Sequence, residues 1–103
     1  MMNFIGRGTT PTFNFFVPFN ENQVSAMYVT FAQGGSTVKE FDEDDVTWDG
    51  NQVIVSLAQD DTLDFVSTSY AQVQIRAKLQ DGTCLRSEIA DIEIGDLLKD
   101  GEI

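Results

Sequence analysis

The sequence predicts an all-β fold: an antiparallel, Ig-like β-sandwich of six to seven strands with one short helical turn. Three observations predict it. Apolar residues recur at a period of two in several short segments. Turn signals rich in Gly, Asp and Asn separate those segments about every ten residues. No segment holds a helical period over the length of a long helix, so no crossover helix exists to join parallel strands.

Thr12-Phe13-Asn14-Phe15-Phe16-Val17 puts Phe13, Phe15 and Val17 on one side of an extended segment. Phe16 breaks the alternation, either on a second buried face or at a bulge, and Pro18 ends the strand or places it at a sheet edge. Asn20 to Gln23 is a polar turn. Met27, Val29 and Phe31 then align, with Tyr28 and Thr30 opposite, before Gln33-Gly34-Gly35-Ser36 turns the chain into a returning strand over Thr37 to Phe41. Val46-Thr47-Trp48 and Val53-Ile54-Val55-Ser56-Leu57 flank Asp49-Gly50-Asn51, a hairpin signal.

Ala58 to Phe65 does not alternate, and its early acids and Leu63 fit one helical turn crossing between sheets. Ala71 to Leu79 alternates cleanly, with Gln72, Gln74, Arg76 and Lys78 pointing outward. Gln80-Asp81-Gly82-Thr83 is a second Asp-Gly turn. In the partner strand from Cys84 to Ile94, Leu85 and Ile89 share one parity while Ile92 and Ile94 share the other. A bulge near Ala90 reconciles the halves. The folded core is expected over about 11–95, with the flanking segments as arms.

At 103 residues the chain fits one domain, and its 42% hydrophobic content, including eight Phe, is enough for a core without disulfides or metals. Six basic against seventeen acidic residues give a net charge of −11. That charge argues against nucleic acid and anionic membranes as partners. No apolar run approaches a membrane span, and the first five residues lack the features of a secretory signal.

With one Cys and no His, no internal disulfide forms and Cys84 has no base to activate it. No catalytic residue, metal site or cofactor is expected. The run Asp42-Glu43-Asp44-Asp45 offers clustered carboxylates for Ca²⁺, but lacks the alternating spacing that wraps side chains around one ion. A solvated turn is the expected role. Tyr28, Trp48 and Tyr70 are stacking candidates for a carbohydrate-binding alternative, or else packing residues, Tyr70 as a tyrosine corner. Eight Phe exceed what one small core hides, so Phe4, Phe16 and Phe19 are interface candidates, joined by Leu97, Leu98 and Ile103 in the tail.

The segments Gly8-Thr9-Thr10-Pro11-Thr12-Phe13-Asn14-Phe15, Tyr28 to Gln33, Val55 to Phe65, Val73 to Arg76 and Ile94 to Ile103 carry a resemblance. In this order they resemble small uncharacterised structural proteins of phages and prophages of low-GC Gram-positive and gut bacteria. The resemblance implies a non-enzymatic virion- or tail-associated module, located in the virion or in host cytoplasm before assembly. Its partners would be other virion proteins or itself as a homo-oligomer, docked through the Phe4 arm, Leu97 and Leu98. The competing expectations are the carbohydrate-binding sandwich and an Ig-like host interaction module.

Overall fold

A computed structural model describes residues 3–103; Met1 and Met2, the start of the segment read above for a signal peptide, lie outside the described residues. The strands are β1 (Asn3–Gly6), β2 (Thr12–Phe16), β3 (Val24–Gln33), β4 (Ser36–Asp42), β5 (Thr47–Asp49), β6 (Gln52–Ser56), β7 (Ala71–Leu79), β8 (Cys84–Arg86) and β9 (Ala90–Gly95). One short helix, α1 (Gln59–Leu63), lies between β6 and β7, and Glu21–Gln23 forms a 3₁₀ turn before β3. Six strands form one sheet in the order β1-β9-β7-β3-β4, with β8 also on β7; the second sheet runs β2-β6-β5.

The hairpins arise from the predicted turn chemistry. Gly34 and Gly35 both adopt positive φ, 61° and 81°, between β3 and β4, as a turn matched to strand twist requires. The hairpin between β5 and β6 pairs Asp49 with Gln52 around Gly50, and that between β7 and β8 turns at Gly82. Asp81 accepts the Thr83 N–H at 2.9 Å, which fixes that last turn and lowers the Asp81 pKa.

The core lies between the sheets. Met27, Val29 and Phe31 of β3, and Ala71, Val73, Ile75 and Ala77 of β7, face Val53 and Val55 of β6. Phe31 joins the layers: its ring sits 5.5 Å from Phe13 of β2 and 6.2 Å from Phe41 of β4. Phe13 in turn stacks on Phe15 at 6.2 Å.

Several expectations change. Nine strands among the described residues replace six or seven, because β1, read as part of an arm, pairs as a strand and the predicted Cys84–Ile94 strand divides into β8 and β9. The division is the predicted phase slip. Arg76 pairs with Arg86, while Val73 pairs with Ala90, so one extra residue enters between Ser87 and Ala90. Ser87 marks its start, giving its N–H to the Ile75 carbonyl and accepting the Ile75 N–H at Oγ. Ile89 is consequently thrown outward and exposed.

From Asn3 on, the N-terminal segment read as an arm is not free. Asn3–Gly6 pairs in parallel with Ile92–Gly95, and Ile5 is buried. This parallel pair needs no crossover helix because the whole domain connects its two strands. Phe16 sits at no bulge; it alternates outward, in register with Gln52.

The C-terminal segment is tied down as well. Arg7 donates to the carbonyls of Phe65 (2.8 Å) and Leu63 (3.1 Å), and pairs with Asp96 at 2.8 Å and Asp100 at 3.3 Å. The buried Thr62 of α1 donates its hydroxyl to the Thr9 carbonyl at 2.8 Å, and Gln59 accepts the Ile103 N–H. One arginine thus joins the end of β1, the end of α1 and the tail.

This packing sets the cost of two substitutions. Phe31→Ala is expected to cost about 3–5 kcal/mol in urea unfolding, since it empties the contact between the layers. Arg7→Ala leaves two backbone carbonyls without their donor and is expected to cost about 1–3 kcal/mol. Asp96 titrates below its ordinary 3.8 because it accepts the Leu97 N–H first and the Arg7 guanidinium second. Its folded-state value lies below the unfolded one, so its contribution is complete at neutral pH and is lost as pH falls through that lowered value. In Arg7→Ala, carboxyl NMR is expected to show the Asp96 value rising only partway, because the Leu97 N–H remains.

Candidate functional site

One lateral side of the sandwich is open. Among the described residues, β2 pairs only with β6. The bonds from Leu57 N–H to the Pro11 carbonyl and from Val17 N–H to the Asn51 carbonyl set the phase of that ladder. By alternation, Phe13 and Phe15 bond toward β6, and Thr12, Asn14 and Phe16 aim their N–H and C=O groups away from it. Across the gap, β8 is likewise unpaired on its outer side among the described residues, where β1 covers only β9.

Between these edges lies a groove of about 470 Å³, walled by Phe15, Phe16 and Phe19 on one side and Ile75, Leu85 and Arg86 on the other. Its wall is mostly apolar. Phe16 stands at the rim, 78% exposed. No carboxylate lines this groove, so it does not offer the paired acids of a glycosidase.

The interface candidates separate into two groups. Phe4, 58% exposed, lies across Gly95, where an added Cβ would come within 2.6 Å of its ring. Leu98 and Ile103 are exposed. Phe19 is corrected: it is 4% exposed, packed 6.3 Å from Trp48, because the chain after Pro18 folds it beneath the sheet. Leu97 is corrected too. It is half-buried on Gly8, whose missing side chain and φ of 75° leave room for it.

The stacking candidates do not form one platform. Tyr28 (49% exposed) lies on β3 of the six-stranded sheet and Tyr70 (47%) in the loop just before β7, whereas Trp48 belongs to the other sheet. Trp48 is half-buried against the core and donates its indole N–H to the Glu43 carbonyl at 3.1 Å. Tyr28 stands opposite Arg76, six positions along the chain from Tyr70, which places the two tyrosines about 20 Å apart. That is too far for both to stack on one sugar ring. Tyr70 makes no hydroxyl hydrogen bond among the described residues, unlike a tyrosine corner.

In the acidic turn, ligand atoms of Asp42, Glu43 and Asp44 lie within 4.8 Å of one another. The turn also uses its carboxylates internally. Asp42 accepts the N–H groups of Asp44 (2.9 Å) and Asp45 (3.1 Å), and Asp45 accepts that of Asp42 at 3.1 Å. Cys84 is exposed on β8, with its thiol 3.8 Å from the Gly82 carbonyl.

Two features escaped the sequence reading. The groove's far wall, Ile75, Leu85 and Ser87, depends on which edges stay unpaired, which alternation does not encode. The second is the alignment of Arg86 with Arg76 and Lys78, the two already read as outward, in one cationic row on the outer face of the six-stranded sheet. Its signal was available: half of the chain's six basic residues fall within positions 76–86.

No family model matches the chain, and no curated protein matches it. Among solved structures, it is similar to extracellular domains 3–5 of Drosophila OTK, at 13% identity and a TM-score of 0.52. That match covers 95% of this chain and 33% of the other. It is also similar to the extracellular domain of mouse leukocyte-associated immunoglobulin-like receptor 1, determined as a strand-swapped dimer. There the identity is 12%, the TM-score 0.49, and the coverage 90% of this chain and 86% of that one. The fold is an Ig-like β-sandwich. No helix of the described residues is long and apolar enough to cross a membrane.

Removing the Asp42 carboxylate by Asp42→Ala is expected to cost about 1 kcal/mol in thermal unfolding, through the Asp44 N–H it leaves without an acceptor, while the Asp45 N–H keeps its second acceptor, the Asp42 carbonyl.

Proposed function

We propose that this chain is a non-enzymatic Ig-like interaction module that binds protein by accepting an extended strand along the free edge of β2. One observation carries the reading: Phe16 stands 78% exposed at the rim of an apolar groove, on a strand whose outer hydrogen-bonding groups are unpaired. Exposed apolar edges invite pairing, and proteins that keep them uncovered risk aggregation. An added strand satisfies the outward groups of Thr12, Asn14 and Phe16 while its side chains enter the groove. A fold does not dictate activity, so the site has to supply it. Here the site offers backbone pairing and apolar area, and Cys84 has no His in the chain to deprotonate it.

The virion setting implied by the resemblance is carried as a second proposal, for where the module works. Its support is the order of segments quoted above, and a strand-accepting brick suits assembly with neighbouring virion proteins. Copies would reside in the virion, or in host cytoplasm before assembly.

Selection from a library of displayed extended peptides tests strand addition. The expected binders alternate apolar residues, and Phe16→Lys weakens them about tenfold or more while leaving stability within about 0.5 kcal/mol. Failure to enrich any such peptide, or binders indifferent to Phe16→Lys, contradicts the proposal.

A further inference from the structure

We propose that the outer face of the six-stranded sheet pairs with the same face of a second copy of this chain, forming a two-fold dimer held by reciprocal Asp42–Arg86 and Tyr28–Arg76 contacts. This goes beyond strand addition at β2 and uses a different face of the sandwich, Arg86 alone also bordering the groove.

The observation is one row of residues running straight across four strands. Asp42 of β4 pairs with Tyr28 of β3, Tyr28 with Arg76 of β7, and Arg76 with Arg86 of β8. All four side chains lie on the outer face, opposite the buried Phe41, Val29, Ile75 and Ala77. The row therefore runs from acidic at one edge, through an exposed aromatic, to doubly basic at the other.

The basic end is unusual for this chain. The Ser87 N–H bonds to the Ile75 carbonyl, so Ala77 and Leu85 form the neighbouring bonded pair and Arg76 and Arg86 a non-bonded pair. In antiparallel sheets such pairs hold their side chains closest. Like charges placed there oppose strand pairing. Seventeen acidic residues were available to neutralise them, yet neither arginine forms an ion pair among the described residues. Lys78, one row further along the same face, is unpaired too. The face thus holds uncompensated positive charge that suits an approaching anionic surface.

A second copy supplies that surface. Take a two-fold axis parallel to the strands, passing over the midline between β3 and β7. The row then folds onto its own reverse: Asp42 of one copy meets Arg86 of the other, and Tyr28 meets Arg76, each contact occurring twice. This is the self-complementarity that an isologous interface requires. Guanidinium against carboxylate allows bidentate pairing, and guanidinium over a tyrosine ring adds a cation–π contact. Nucleic acid would meet the same arginines but also the net charge of −11 and the carboxylates of Asp42 and Glu40 on the same face.

Two such acidic chains also repel each other at long range, and salt screens repulsion and attraction together. The decisive readout is therefore charge exchange rather than salt dependence. Sedimentation equilibrium near physiological ionic strength is expected to show a monomer–dimer equilibrium for the full chain. Arg86→Glu and Asp42→Arg are each expected to weaken homodimers about tenfold or more, because each sets like charges face to face twice.

Mixing the two variants restores both contacts. The Arg86→Glu chain keeps Asp42, which meets the unchanged Arg86 of the Asp42→Arg chain, and the two substituted positions meet each other with their charges exchanged. Dimers are therefore expected to reappear only in the mixture. Tyr28→Ala, at an exposed position outside the acidic turn, is expected to weaken the wild-type dimer several-fold. It provides the decisive variant if Asp42→Arg fails to fold by circular dichroism. Phe16→Lys is expected to leave this dimer intact, which separates it from binding at the β2 edge. A wild-type chain that stays monomeric at millimolar concentration overturns the proposal. A dimer indifferent to Arg86→Glu and Tyr28→Ala, or one lost in Phe16→Lys, overturns it as well.

Discussion

Two sheets with no disulfide between them are held together here by aromatic rings meeting in the gap. Phe31 contacts Phe13 across the layers and Phe41 within its own, and Phe13 stacks on Phe15. Many immunoglobulin domains bridge the same gap with a disulfide beside a tryptophan. With a single cysteine on an outer strand, this chain has no such bridge. The rings bury large apolar area and favour tilted and edge-on geometries, as the 56° and 78° interplanar angles show. Everything on the surface depends on that contact, because it fixes the spacing between β2 and β8 and so the width of the groove.

Closure of the sandwich is uneven. At one end of the six-stranded sheet, β1 caps β9, and the Arg7 clip draws α1 and the tail over that end. The outer strands β4 and β5 carry Glu40, Asp42 and Asp49, charges that discourage further pairing. β2 lacks this protection. Its exposed residues are Thr12, Asn14 and Phe16, none of them charged, and Pro11 and Pro18 bracket the strand without blocking its middle. The edge that is least defended is also the one beside the apolar groove of about 470 Å³.

Local pairing chemistry was legible in the sequence, and long-range pairing was not. β7 matches its alternating segment from Ala71 to Leu79, and the Gly34-Gly35, Gly50 and Gly82 turns fall where the glycines demand. The helical turn at α1 was readable because its acids break the alternation. There, Asp61 accepts the Ala58 N–H while Ala58 itself has no side-chain acceptor to offer. β1 was missed because four residues show too little periodicity, and its strand identity comes from β9, nearly ninety positions away. The phase slip after Leu85 was visible, but its position was set by Ser87, whose hydroxyl takes a ladder bond that no apolar pattern records. Of the candidate site residues, Phe16 falls on the groove rim, while Phe19 and Leu97 are claimed by internal packing.

The central claim is that β2 is a true free edge on a rigid, aromatic-stapled sandwich. Amide hydrogen exchange of the dilute, unliganded protein tests it residue by residue. The account predicts alternation: Phe13 and Phe15, bonded to β6, exchange slowly, and Thr12, Asn14 and Phe16 exchange at rates near those of an open chain. Uniform protection along all five residues would mean that the edge is already covered, and uniform fast exchange would mean that β2 does not pair with β6; either result contradicts the account.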